Sequence, residues 1–241
     1  MNSNKNIEFL FDFIKRSRSP YHAVKLISDI LIDNGFSELS DFSSELARGG
    51  KYFYISGASI FAFVNGGGVF RIVSSHSDQP AFEVKCETRT NAYLKLSCEK
   101  YGGMIYHTWL DRPLAIAGRV IVKEDGGLVQ KLVELDSRAL IPSVAIHLMR
   151  NMNDSLSLDP KCDLVPLLGL SKDTSLDEIV ANKLGISSEK ILARDLVLVS
   201  DEEPRLVGLD NELILSPRLD DLASVCDSLI AFIECADSNT E

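Results

Sequence analysis

The hydrophobic period of this chain changes twice, and few folds accommodate that. Ile7, Leu10, Phe11 and Ile14 recur at i, i+3, i+4 and i+7, the stripe of an amphipathic helix. Ser19-Pro20 reads as an N-cap followed by proline at the first helical position. Ala23, Leu26, Ile27, Ile30 and Leu31 continue the stripe until Gly35 stops it. From Lys51 the period becomes two. KYFYIS and ASIFAFV predict a hairpin around Ser56-Gly57, and Gly66, Gly67 and Gly68 turn the chain into VFRIVSS, a predicted strand ending at His76. YLKLSCE, GRVIVKE and LVQKLVELD predict antiparallel strands, the last two joined at Asp125-Gly126. After Pro217 the helical period returns. Leu219, Leu222, Ala223, Cys226, Leu229, Ile230 and Ile233 share one face of a final helix, which frays into DSNTE.

Shorter signals fill the interval. IPSVAIHLMR predicts a helix with Pro142 in its first turn, and Ser175 with Glu178 forms a capping box for a helix running to Gly185. DLVLVS reads as a buried strand and LVGLDNELILS as further strand. An α/β opening and an α/β close around a β-rich centre are what one domain inserted into another leaves in a sequence.

Charge and cysteines narrow the function classes. Lys plus Arg number 25 against 35 for Asp plus Glu, a net charge of −10. No basic stripe is present, which argues against a nucleic-acid surface. No apolar run approaches the ~20 residues of a membrane helix. Glu8 and Asp12 interrupt the first apolar stretch, so it does not read as a signal peptide. The five cysteines form no CxxC pair, which points away from a disulfide framework or structural zinc cluster and toward a reducing cytoplasm. The glycine run lacks the Lys-Ser/Thr of a phosphate loop and suits a tight turn. No Gly-x-Ser-x-Gly elbow or Cys-His signature supports nucleophilic catalysis.

Each of the four histidines can therefore be weighed. His76, in SSHSDQP, follows a predicted strand, where open α/β sheets place their ligands, and Asp78 could orient its imidazole. Taken alone, His-x-Asp also suits a polar turn. Asp220 and Asp221 open the last helix in SPRLDD. They could simply complement the helix dipole, or one could project toward a metal. Adjacent residues of a helix point about 100° apart, so only one of the two is expected to face a given site. His107 and His147 lie among apolar residues, where a histidine is commonly a satisfied core group. His22, in the first turn of the second helix, is given no role.

The motifs are not independent. SPYHAV, SSHSDQP, YGGMIYHTWLDRPLAIAGRVIVK, IPSVAIHLMR and SPRLDDL, in this order, resemble the aspartyl aminopeptidase family, the M18 zinc metallopeptidases, from about residue 18 onward. The resemblance implies an α/β fold: a peptidase-type α/β/α sandwich, here partial, interrupted by a β-rich dimerisation domain. The peptidase domain would take residues 1–84 and 207–241, and the inserted domain residues 85–206. It further implies a dinuclear zinc aminopeptidase that releases N-terminal, often acidic, residues from peptides, and a homo-oligomer built from dimers. Carried over by motif, His76 would bind one metal and Asp78 would support it. Asp220 would bridge both ions, and His147 would reach a neighbouring subunit's active site.

The departures from the pattern carry expectations of their own. Asp221 stands where the family has Asn, Ser77 replaces Thr, and Gln79 stands where Ser is common. The family also continues for roughly as many residues again, with a Glu-Glu pair, a further Asp and a final His. Catalytic zinc takes three protein ligands and keeps one position open, so His76 and Asp220 alone leave both ions under-coordinated and without a general base. The chain is thus expected to be the N-terminal half of an aminopeptidase, inactive by itself. The competing expectations are a non-catalytic subunit or assembly module, and a related two-metal deacylase.

Overall fold

Ser19 starts a helix by geometry as well as by type. Its backbone is extended, and its Oγ accepts the N–H of His22 with Pro20 next in line. In this computed structural model, which describes residues 3–41, 45–66, 68–171 and 173–238, that helix is the second of four. Gly67 of the glycine run and residues 239–241, on which the expected turn and the expected fraying partly fall, lie outside the described residues.

Along the chain run α1 (Ser3–Arg16), α2 (Pro20–Asp33), β1 (Ser37–Glu38), β2 (Lys51–Ser56) and β3 (Ser59–Val64). Next come β4 (Ala81–Arg89), β5 (Tyr93–Tyr101), β6 (Pro113–Glu124), β7 (Gly127–Leu140) and β8 (Leu167–Leu170). The last elements are α3 (Leu176–Leu184), β9 (Ile191–Ser200), β10 (Arg205–Val207), β11 (Leu213–Leu215) and α4 (Leu219–Ser238). Two units emerge, one of residues 1–79 with 203–241 and one of residues 80–202. The expected joints at 84/85 and 206/207 fall inside β4 and β10.

In the first unit β1 pairs parallel with β2, and β2 pairs antiparallel with β3 through a turn at Gly57, whose φ of +61° suits a residue without Cβ. The apolar stripes of α1, α2 and α4 meet β2 in one core of Phe13, Ile14, Leu31, Phe53, Leu222 and Cys226. Each such large side chain contributes about 1.5–3 kcal/mol by burial. One expectation fails here. VFRIVSS is not a strand: residues 69–75 join no ladder, and Val69, Phe70, Ile72 and Val73 are exposed. β-branched composition suits a strand, but the ladder needs a neighbouring backbone, and among the described residues this segment has none.

The second unit is a closed barrel in the order β4-β5-β8-β7-β6-β9, sealed by the pairing of β4 with β9. Closure removes the free edges that a β-rich insert would otherwise expose. Phe82, Leu96, Leu114, Ile116, Leu135, Leu196 and Leu198 fill it, and Phe82 meets Trp109 edge-on at 4.9 Å. Gly118 is required where β6 and β9 approach, since a Cβ there would lie 2.0 Å from the Asp195 carbonyl. The capping box of α3 forms as expected, with Glu178 reaching back to the Ser175 N–H, and Gly185 closes the helix in the left-handed region.

IPSVAIHLMR is not a helix. After Ile141 the chain makes only isolated turns, with Leu148 N–H on the Ala145 carbonyl. A short helix needs a surface for its apolar face, and Ile146, Leu148 and Met149 stay exposed in this unit. The five cysteines are free thiols, and burial pushes Cys98 and Cys226 up to about 12. No helix among the described residues is long and apolar enough to cross a membrane.

Candidate metal site

The two motif strings SSHSDQP and SPRLDD meet within the first unit. Ser77 Oγ donates to the Ala58 carbonyl in the β2–β3 turn, which fixes the segment carrying His76. The other segment enters α4 with Arg218 at φ +59°, a left-handed value uncommon without glycine. Asp220 and Asp221 have non-helical dihedrals, and the peptide between them is cis. The 100° offset between neighbours of a regular helix does not apply to these two residues, whose dihedrals are non-helical.

Both acids reach His76. Its Nε2 lies 3.3 Å from Asp220 Oδ1 and 4.0 Å from Asp221 Oδ2, while its backbone N–H donates to Asp221 Oδ2 at 3.2 Å. On the other side of the ring, Nδ1 lies 3.0 Å from the Asp78 carbonyl and 3.4 Å from its carboxylate. A proton on Nδ1 donated to that carbonyl leaves the Nε2 lone pair facing Asp220. The acids differ in exposure, with the Asp220 side chain 89% accessible and that of Asp221 21%. Asp220 offers its oxygens to a ligand, whereas Asp221 is occupied with the backbone of His76.

Titration follows the geometry. Burial pulls the His76 pKa down, but the Asp78 carbonyl and the carboxylates of Asp78, Asp221 and Asp220 outweigh it and raise the value. A hydrogen bond from Ser224 lowers the Asp221 pKa, burial opposes it, and the N–H and imidazole of His76 add to the lowering, so the value lies below the ordinary one. His22 lies outside this cluster. Burial, aided by Arg18, lowers it from 6.5 to about 4, and its Nδ1 lies 2.7 Å from Ser19 Oγ.

The donor set fits zinc in part. Ligands of one tetrahedral zinc, at about 2.0–2.2 Å from the ion, stand about 3.3–3.6 Å apart, and the Nε2–Oδ1 distance of 3.3 Å falls in that range. An imidazole backed by a carbonyl and a carboxylate is also the usual second layer of a zinc histidine. Among the described residues no group of three or more His, Cys, Asp or Glu side chains could hold an ion. The pair therefore offers two donors and not a complete site.

His147 lies exposed in the irregular segment of the second unit, and His107 is exposed in a 3-10 turn at Tyr106–Trp109. In the sequence, Asp221 and Gln79 stand out only as departures from the family pattern. The acidic doublet was the visible signal. What it lacked was the backbone at Arg218–Asp221, which turns both acids toward one histidine.

The family model for aminopeptidase I zinc metalloproteases (M18) matches residues 13–241. A probable M18 family aminopeptidase 2 from Clostridium acetobutylicum is 38% identical over 93% of this chain and 56% of its own length. Aspartyl aminopeptidase 1 from Schizosaccharomyces pombe is 35% identical over 97% of this chain and 56% of its own length. Among solved structures, that of an Ape4 and Nbr1 complex matches with a TM-score of 0.88 at 35% identity, over 95% of this chain and 50% of the matched one. The chain thus spans about half the length of the curated relatives it matches.

Proposed function

The chain belongs to the aminopeptidase I zinc metalloprotease (M18) family, and from that membership we propose that it carries part of the metal site of a zinc aminopeptidase. The observation that carries this reading is the His76 Nε2–Asp220 Oδ1 distance of 3.3 Å, with Nδ1 held from behind by Asp78. His76 and Asp220 would hold zinc, and the two oxygens of Asp220 would let it bridge a second ion. When bound, zinc supplies the Lewis acidity that activates water and polarises a peptide carbonyl. Asp78 fixes the tautomer of His76, and Asp221 holds its backbone. The remaining ligands and the general base belong, in this reading, to the part of the relatives that this chain does not span.

The substrate would be a peptide with a free N-terminus, and the name of the Schizosaccharomyces pombe relative favours an acidic first residue. The first unit would be part of an α/β/α sandwich. The barrel would mediate dimers from which a larger homo-oligomer is built, with His147 reaching the partner's site. A cytoplasmic location suits the free cysteines.

The test is the chain co-expressed with the half of an M18 relative that it does not span. Zinc-dependent release of N-terminal aspartate or glutamate is the expected result, and no release of any N-terminal residue from a zinc-loaded complex refutes it. The incomplete ligand set favours a second reading, an assembly module without catalysis. Less than one tight zinc per chain, together with self-association, would support that alternative.

A further inference from the structure

Among the described residues four polar side chains are buried, namely Ser17, Ser19, Ser28 and Gln79. Three of them gather where α1 ends and α2 begins. Ser17 and Ser19 lie in the corner itself, and Gln79 arrives from the segment that carries His76. A buried amide costs a few kcal/mol unless it is bonded, so its partner matters. Gln79, 3% exposed, donates Nε2–H to the Arg18 carbonyl at 3.2 Å. Arg218 reaches the same corner from the other segment and donates Nη2–H to the Ile14 carbonyl at 2.8 Å. Ile14 lies in the last turn of α1, where a cation is favoured, and its carbonyl also accepts the Ser17 N–H at 3.3 Å.

Gln79 follows His76 by three positions, and Arg218 precedes Asp220 by two. The left-handed backbone of Arg218 is a conformation that a non-glycine residue holds only when its surroundings determine it. Its side-chain bond to α1 contributes to that determination. The geometry points to Gln79 and Arg218 as positioning residues that set the His76–Asp220 spacing by tying both segments to one helix corner. This inference rests on the reading of His76 and Asp220 as zinc ligands. It adds that the pair is held in register before metal arrives, and by residues that never touch the metal.

The test uses the whole chain with Gln79→Met, Arg218→Met, the double variant and Arg218→Lys. Zinc binding is followed by calorimetry below the melting temperature of every variant, and exchange of the His76 amide, bonded to Asp221, is followed without metal. Each methionine variant should weaken zinc binding about 10–100-fold, the range for lost outer-layer partners, and should speed His76 amide exchange. Arg218→Lys, which retains a donor, should recover most of both. If Arg218→Met does not fold, Gln79→Met and Arg218→Lys still decide. Unchanged affinity and exchange in the methionine variants that fold would overturn the proposal. If the unaltered chain, paired with the half of a relative that it does not span, binds no zinc while the variants still lose His76 protection, the positioning role stands and the zinc reading fails. A His76 amide unprotected in the unaltered chain overturns the positioning role.

Discussion

His76 donates its backbone N–H to Asp221 Oδ2 at 3.2 Å across 145 positions of sequence. The same imidazole turns Nε2 toward Asp220, so the acidic doublet divides its work: one carboxylate holds the histidine and its neighbour stands open beside it.

This division predicts different penalties for the two acids. On the reading proposed above, His76→Ala or Asp220→Ala should abolish zinc binding, since each would remove a direct ligand. Asp221→Asn retains an acceptor for the His76 N–H and should keep affinity within about tenfold, whereas Asp221→Ala should lose about 10–100-fold. Zinc titration of the four variants checks this. A larger loss for Asp221→Asn than for Asp220→Ala would reverse the assignment.

Stability should depend on pH through His22. Its folded-state pKa of about 4 lies below the unfolded 6.5. The neutral buried form therefore contributes stability above 6.5 that is lost as pH falls toward 4. That interval is worth at most about 3 kcal/mol. His76, with a raised value, acts in the opposite direction and above 6.5, so the windows do not overlap. Urea unfolding at pH 7, 5.5 and 4.5 should show midpoints falling with pH, and His22→Gln should flatten the trend. A flat profile in the unaltered chain would contradict the assignment.

Gly118→Ala should destabilise the barrel. The new Cβ would meet backbone on β9, 2.0 Å from Asp195 O and 2.9 Å from Leu196 Cα, and backbone in a closed barrel cannot step aside as a flexible side chain can. A loss of about 1–3 kcal/mol or more is expected, measured as a drop in melting temperature. Gly126→Ala, where a Cβ meets nothing within 4 Å, is the control.

His147 yields a test of assembly. Its exposed segment presents Ile146, Leu148 and Met149, apolar side chains that a second copy could cover. In this chain co-expressed with the half of an M18 relative that it does not span, His147→Ala should lower turnover and leave zinc content unchanged. Mixing that variant with His76→Ala should restore part of the activity if His147 acts in the partner's site, because mixed dimers hold one complete set. No recovery after demonstrated subunit exchange would exclude the trans role.

The sequence by itself determined what is local. The stripes of α1, α2 and α4, the Ser19 and Ser175 caps, the β2–β3 hairpin and the turn between β6 and β7 each depend on a few consecutive residues. So did the motif strings that named His76, Asp78 and Asp220. Tertiary structure decided the rest. VFRIVSS has strand composition and no ladder, and IPSVAIHLMR has helical spacing and no surface to lie on, because both elements need partners that periodicity cannot supply. The metal pair belongs to the same class. Its 3.3 Å spacing comes from the closure of distant segments onto the end of α1 and from the backbone at Arg218–Asp221, and neither is written in the order of residues around His76.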